Sequence, residues 1–240
     1  MSAPGDRPTR AAATIDTLAA DVERRQSTLS DARRRVTYAE VPALLDRIDE
    51  VLKRRGVDPS RSALALECSQ SVAGALALLH ALHRGHSVVL LPEPDEKVPR
   101  SIPSFCTHVI TATEAPADAA GDAFPGSHLR VTAHEGHVAG SVVDGFAGPD
   151  IYLRTSGSTA ASKLARMSHG KWLDNAAAAG ERWGIRAAER IAIPVPIFHA
   201  YGLGAAFLPG MLAGASMDLV ADFNILRYLE REKSFHPTVA

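Results

Sequence analysis

From Ala63 to Leu91 the sequence alternates so regularly that few architectures remain open. Ala63–Leu66 is an apolar run of strand length, Ser69-Gln70-Ser71 a polar turn, and an Ala/Leu-rich helix follows to about Arg84. Gly85 ends that helix, and Val88–Leu91 is a second apolar strand stopped by Pro92 and Pro94. His108–Thr111 reads as a third strand. Strands that alternate with helices, rather than with two-residue turns, call for an α/β fold with a mainly parallel sheet and flanking helices.

The flanking stretches fit the same plan. Residues 1–12, rich in Pro, Ala, Gly and Arg, read as a flexible tail, and Ile15, Leu18 and Val22 recur at helical spacing. Thr37 and Glu40 form a capping box, in which hydroxyl and carboxylate serve the free N–H groups of a helix start. Val41, Leu44, Leu45, Ile48, Val51 and Leu52 then make one apolar stripe, with Gly56 at the C-cap. Arg130–Ala133 and His137–Ala139 are expected to pair as a hairpin around Glu135-Gly136. Further on, Ala165–Ser168 reads as a strand, His169–Trp183 as a helix and Arg190–Val195 as a strand. A glycine-interrupted helix over Ala200–Ala213, a strand at Met217–Val220 and a helix over Phe223–Arg231 complete the pattern.

Bulk properties exclude several classes. A net charge of −1 gives no electrostatic reason to expect nucleic acid, and the basic runs at Arg33–Arg35 and Lys53–Arg55 sit among acidic neighbours as solvated faces. Cys68 and Cys106 are too few for a disulfide scaffold and suit a reducing compartment. No apolar run approaches the ~20 residues that cross a bilayer, and Met1–Asp6 lacks the apolar core of a signal peptide. The expected location is the cytoplasm, with no membrane partner. His80, His83 and His86, and the pair His134 and His137, suggest a metal only superficially: Gly85 puts His86 off the helix, and no further ligand completes a set. Glu67 and Asp144 stand as isolated carboxylates, no Gly-x-Ser-x-Gly elbow supports a hydrolase, and Trp172 and Trp183, three turns apart, are expected to pack.

The chemistry concentrates at Tyr152-Leu153-Arg154-Thr155-Ser156-Gly157-Ser158-Thr159-Ala160-Ala161-Ser162-Lys163. A β-prone run leads into small hydroxylated residues closed by a lysine. Small residues let backbone N–H groups curl toward one anion, hydroxyls add neutral donors, and the lysine adds a mobile charge. It is not a Walker A loop, since Ser162 and Leu164 occupy the places of the second glycine and the Ser/Thr. Two readings stand side by side: a polyphosphate site and a polar surface loop.

This loop resembles the phosphate-binding core of the adenylate-forming superfamily, the acyl-CoA synthetases, peptide-synthetase adenylation domains and luciferases, typically Thr-Ser-Gly-Ser-Thr-Gly-x-Pro-Lys-Gly. Thr155, Ser156, Gly157, Ser158, Thr159 and Lys163 match, whereas Ala160, Ser162 and Leu164 replace Gly, Pro and Gly. Alanine and leucine reach glycine's backbone conformations only with strain, so either the loop adopts a different curl or its grip on nucleotide is weakened. Val36–Val41, Leu82–Pro92, Met167-Ser168-His169 and Pro196–Gly204 also resemble family segments, in the family's order, from about Arg35 onward.

The resemblance implies ATP-dependent activation of a carboxylic acid to an acyl-adenylate, with Mg2+ accompanying ATP and CoA or a carrier-protein thiol as possible acceptor. Thr155, Ser156, Gly157, Ser158, Thr159 and Lys163 would bind phosphates, and His199, Tyr201 and Gly202 would belong to the substrate pocket. Histidine at 199, where peptide-synthetase domains carry an aspartate for the α-ammonium group, argues for an acid without that amine. The adenine-binding Thr-Glu turn, the ribose-binding aspartate and the lysine of the small C-terminal domain come later in family members. Residues 13–240 are therefore expected to be an incomplete AMP-binding domain, its C-terminal half and small lid domain absent, with no catalytic residue of its own. A complementary C-terminal adenylation polypeptide or self-association would complete it, and the Val41–Leu52 stripe and the Ala200–Ala213 helix should lie uncovered without one. The alternative is a catalytically inactive, degenerate nucleotide- or acyl-binding protein or scaffold.

Overall fold

The computed structural model describes residues 10–58, 63–94, 101–114, 123–124, 127–138, 149–155, 163–221 and 225–239. Two sheets form, where one mainly parallel sheet was expected. The larger contains β3 (Ala63–Cys68), β4 (Ser87–Leu91), β5 (Cys106–Glu114), β6 (Ala123–Phe124), β7 (Ser127–Ala133), β8 (Asp150–Arg154) and β9 (Leu164–Ser168), in the order β6-β7-β5-β3-β4-β8-β9. Its centre, β5-β3-β4-β8, is parallel, and both flanks turn antiparallel. Every residue of β3 and β4 is buried, the condition that makes parallel strands read as continuous apolar runs.

The second sheet joins distant parts of the chain. It orders β10 (Arg190–Ile193), β11 (Ser216–Leu219), β1 (Thr28–Ser30) and β2 (Arg35–Thr37). β1 lies parallel to β11 through Leu29↔Met217, while β1 and β2 form a short hairpin. Val239 bridges to Ile191 on the far side of β10.

Helix α1 (Arg10–Ala20) begins inside the stretch read as a tail, with Ala11 and Ala12 buried, and it stops before Val22, which is exposed. Helix α2 (Val41–Arg54) buries the predicted stripe against α1 and α3 (Val72–Arg84). Only the carboxylate half of the Thr37–Glu40 box forms: Glu40 Oε2 accepts from Thr37 N at 2.8 Å and from its hydroxyl at 2.7 Å. Helix α3 is buried from Val72 to Leu82, as an apolar-all-round helix must be. Ser71 caps its start by accepting from Gly74 N at 3.2 Å, and Gly85 closes it in the left-handed region, φ 72°.

Helix α4 (His169–Trp183) spans the predicted residues. Trp172 is buried, but Trp183 is half exposed where the helix runs past the core, so packing accounts for only one of them. A π-helical segment (Gly202–Phe207) leads into α5 (Leu208–Ala213), and α6 (Ile225–Phe235) docks last. Phe207, Leu208 and Met211 are fully buried, as are Leu45 and Ile48 of α2. Both surfaces expected to be uncovered are thus covered within the chain. The exposed large apolar side chains include Ile225, Leu226 and Leu229 of α6 instead.

The hairpin expected around Glu135-Gly136 does not form among the described residues. Arg130–Ala133 belongs to β7, paired with β5, and Val138 N donates to Ser104 O at 3.0 Å. The reason is competition: the long β5 edge offers β7 a seven-residue register from Ser127 to Ala133, against three in the local hairpin. Ala139 and Asp144 lie outside the described residues.

Candidate functional site

β8 and β9 make an antiparallel hairpin whose connection is the hydroxyl-rich loop. The loop's two ends are tied together: Thr155 N donates to Lys163 O at 2.9 Å and Thr155 Oγ1 to the same oxygen at 3.2 Å. Ser156, Gly157, Ser158, Thr159, Ala160 and Ser162 lie outside the described residues. Below the loop, Asp150 is buried and receives Arg166 Nε at 2.8 Å, while Asp150 N donates to Ser87 Oγ at 3.2 Å. The hairpin is therefore pinned to β4 at its base. Leu164, at the place of a family glycine, is the first residue of β9 in register with Arg154 and packs beside Tyr152 and Val89. It adopts extended backbone without positive φ, so the strain expected from losing that glycine does not arise at this position.

Because β5, β3, β4 and β8 are parallel, their C-terminal ends share one edge of the sheet. Leu90 is in register with Leu153, so Pro92 and Thr155 leave the sheet from the ends of neighbouring strands. Along that edge opens a cleft of about 580 Å³, lined by Ser69, Gln70, Pro92 and Thr113 from the larger sheet. Asp31, Pro196 and Phe198 line it from the smaller one. A crevice outside the carboxyl ends of parallel strands is where open α/β sheets take ligands.

The segment after β10 supplies the apolar wall. Phe198 and Pro196 face the cleft, and His199 is exposed with its ring 4.7 Å from that of Phe198. His199 N donates to Pro196 O at 3.0 Å, and Leu203 N to His199 O at 2.9 Å, so the turn is rigidly closed. Tyr201 is largely exposed, and Gly202 is buried. Of the three expected pocket residues, none lines the cleft; their neighbour Phe198 does. A Cβ at Gly202 would sit 2.3 Å from Pro196 O and 2.4 Å from Val195 O, both backbone atoms. Gly202→Ala is expected to cost about 2–3 kcal/mol by overpacking and to push the Phe198 turn outward, seen as a lower urea midpoint with shifted Phe198 resonances.

Three polar residues at this edge escaped sequence reading. Glu67, taken as isolated, is buried and accepts from Thr111 Oγ1 at 2.6 Å across the β3–β5 register. Asp31 accepts from Arg33 N, Arg34 N and, through Oδ2, from Val72 N at 2.7 Å, capping α3 from the other sheet. Gln70 also reaches across. The available signal was position, because all three follow or end a strand at the shared edge.

His80 and His86 stack with ring centroids 5.5 Å apart, His80 lies 3.5 Å from Asp49, and His83 lies 3.5 Å from Asp16. No group of three His, Cys, Asp or Glu gathers to hold a metal among the described residues. Cys68 and Cys106 are buried free thiols, with burial pushing Cys106 up to about 12. Among the described residues no helix is long and apolar enough to cross a membrane.

Two sheets with parallel cores, a shared cleft at their strand ends and a tied-off hydroxyl-rich hairpin make up the architecture in which open α/β sheets take ligands. The family model for AMP-binding enzymes matches residues 151–239. A feruloyl-CoA synthase of Amycolatopsis sp is 27% identical over 212 residues, covering 82% of this chain and 42% of that protein. Among solved structures, apo MatB from Rhodopseudomonas palustris matches with a TM-score of 0.64 at 18% identity, covering 93% of this chain and 48% of that one. The O-succinylbenzoate coenzyme A synthetase MenE from Bacillus subtilis, in complex with AMP, matches with a TM-score of 0.68 at 18% identity, covering 97% and 60%. Residues 151–239 are thus similar to AMP-binding enzymes, and the chain shares its fold with part of MatB and of MenE. The chain spans 42% of the length of the feruloyl-CoA synthase and 48% of MatB.

Proposed function

We propose that the chain contributes the phosphate-binding hairpin and one wall of the acyl pocket to an ATP-dependent ligase that converts a carboxylic acid, not an α-amino acid, to its acyl-adenylate. The observation that carries this reading is the shared edge: the tied ends Thr155 and Lys163 stand one strand from a cleft walled by Phe198. Attack of a carboxylate on the α-phosphorus brings two anions together, so the site must supply cationic and N–H donors before reaction. Ser156, Gly157, Ser158 and Thr159 would donate to the phosphates from the loop, Thr155 would hold its end, and Lys163 would neutralise β- and γ-phosphate charge.

His199, Tyr201 and Gly202 would shape the pocket from behind Phe198, and a neutral imidazole at 199 leaves no partner for an ammonium group. Mg2+ accompanies ATP in a MenE complex. Here it would ride on the phosphates, since no group of three His, Cys, Asp or Glu gathers among the described residues. Adenine and ribose contacts, and the lysine of the small domain, lie in the family beyond the stretch aligned here. They would come from residues beyond this stretch, from a complementary C-terminal adenylation polypeptide, or from a second copy of the chain. The adenylate would then pass to the thiol of CoA or of a carrier protein, and the similarity to a feruloyl-CoA synthase makes ferulate the first acid to test.

The 240 residues alone should bind ATP without catalysing ferulate-dependent exchange of pyrophosphate into ATP. Lys163→Ala should weaken ATP binding about tenfold, the loss of one charge-assisted phosphate contact. Calorimetric titration of both chains checks it. Equal affinity in the two, or no binding in either, would favour the degenerate scaffold instead.

A further inference from the structure

We propose that Gln70 is a positioning residue, holding the pocket wall Pro196–His199 in place from the opposite sheet. The inference rests on the reading of the cleft as an acyl pocket. β10 ends at Ile193 and is followed by Pro194 and Pro196, which have no N–H to offer. Ile193 O still accepts from Val220 N at 3.1 Å, but beyond it Val195 O and Ile197 N find their partner in a side chain rather than in a strand ladder. A buried backbone group left unpaired is costly.

Gln70 meets that need with one side chain. Its Nε2 donates to Ile193 O at 2.7 Å and to Val195 O at 3.3 Å, and its Oε1 accepts from Ile197 N at 2.9 Å. Only this orientation of the amide works, since the reverse would face oxygen with oxygen. The residue is buried, and its backbone belongs to the β3–α3 turn of the larger sheet, beside the Ser71 that caps α3. Phe198, one residue beyond the anchored Ile197, is the aromatic wall of the cleft. A three-bond clamp on residues 193, 195 and 197 fixes the height and pitch of that ring relative to the strand ends that carry the loop.

The test compares the wild-type chain with Gln70→Met, which keeps the volume and removes the bonds, by amide hydrogen exchange and by NMR of Phe198 and His199 with and without ferulate. In Gln70→Met, Ile197 is expected to exchange at least tenfold faster. Phe198 and His199 resonances should move, whereas Val89 and Leu153 in the sheet interior keep wild-type shifts. Ferulate should bind about tenfold more weakly, as displaced pocket walls do. A folded Gln70→Met chain with wild-type exchange at Ile197 and unmoved Phe198 signals would overturn the proposal. If Gln70→Met does not fold, Gln70→Asn supplies the comparison: its amide is one methylene short, so faster Ile197 exchange supports the clamp and wild-type exchange overturns it. Failure of ferulate to perturb the wild-type chain sinks the acyl-pocket reading alone and leaves the exchange result to decide the role of Gln70.

Discussion

Between pH 7 and pH 5 the folded chain should lose at least about 4 kcal/mol of stability, of which two buried histidines, His86 and His169, supply about 2 kcal/mol each. His86 follows α3, and His169 opens α4, immediately after the hairpin that carries the hydroxyl-rich loop. Burial holds His86 down to about 3 and His169 down to about 4, with a backbone contact to His86 opposing the shift at His169. The groups facing them do not reverse this. His80, stacked on His86, is also lowered by burial, while Asp49 and Asp58 pull the cluster weakly the other way.

The sign follows from proton counting. In the unfolded chain each histidine titrates near 6.5, so below that pH the unfolded state takes up protons that the folded state refuses. Stability is complete above 6.5 and drains as pH falls toward 4 and 3, at about 1.4 kcal/mol per pH unit for each group. Asp49, held below the carboxylate range chiefly by its contact with His80, adds nothing to the slope in this window, because it stays ionised throughout. Urea unfolding at pH 7 and pH 5 measures the difference. His86→Phe and His169→Phe should each remove about 2 kcal/mol of it, and a flat profile in the wild-type chain would refute the assignment.

How far the fold could be read from sequence depends on whether an element was held by local or distant partners. α4 is legible to the residue, its start capped by Ser168 and its end closed by Gly184, both local partners. The parallel strands β3 and β4 were legible because burial on both faces leaves uninterrupted apolar runs. β1 and β2 were not, being three residues each and stable only through β11, nearly the whole chain away. That pairing creates the second sheet, and with it the cleft. The site was legible in part: the loop announced itself by composition, whereas Gln70 and Asp31 are ordinary turn residues until another sheet comes within reach.

The second large effect is expected at the end of the chain, where Arg231→Met should cost about 3–5 kcal/mol and release α6. Asp218, in the middle of β11, is 1% exposed and takes Arg231 through both carboxylate oxygens, Nε to Oδ2 at 3.0 Å and Nη2 to Oδ1. Ser30 of β1 donates to the same Oδ1 at 2.7 Å. A single buried carboxylate thus joins the first strand, its parallel neighbour and the last helix. Removing the guanidinium leaves a buried charge served only by a hydroxyl, which is the expensive way to break such a pair; removing both charges is much cheaper. Asp218→Asn with Arg231→Met should therefore recover most of the loss, giving a coupling of at least about 2 kcal/mol in a double-mutant cycle. The outer residues of α6, Ile225, Leu226 and Leu229, are already exposed, so apolar burial on that face cannot substitute for the ion pair. Thermal melts of the four chains decide it. Additive effects, or a stable Arg231→Met chain with α6 still protected from hydrogen exchange, would mean that the helix is held by contacts other than this carboxylate.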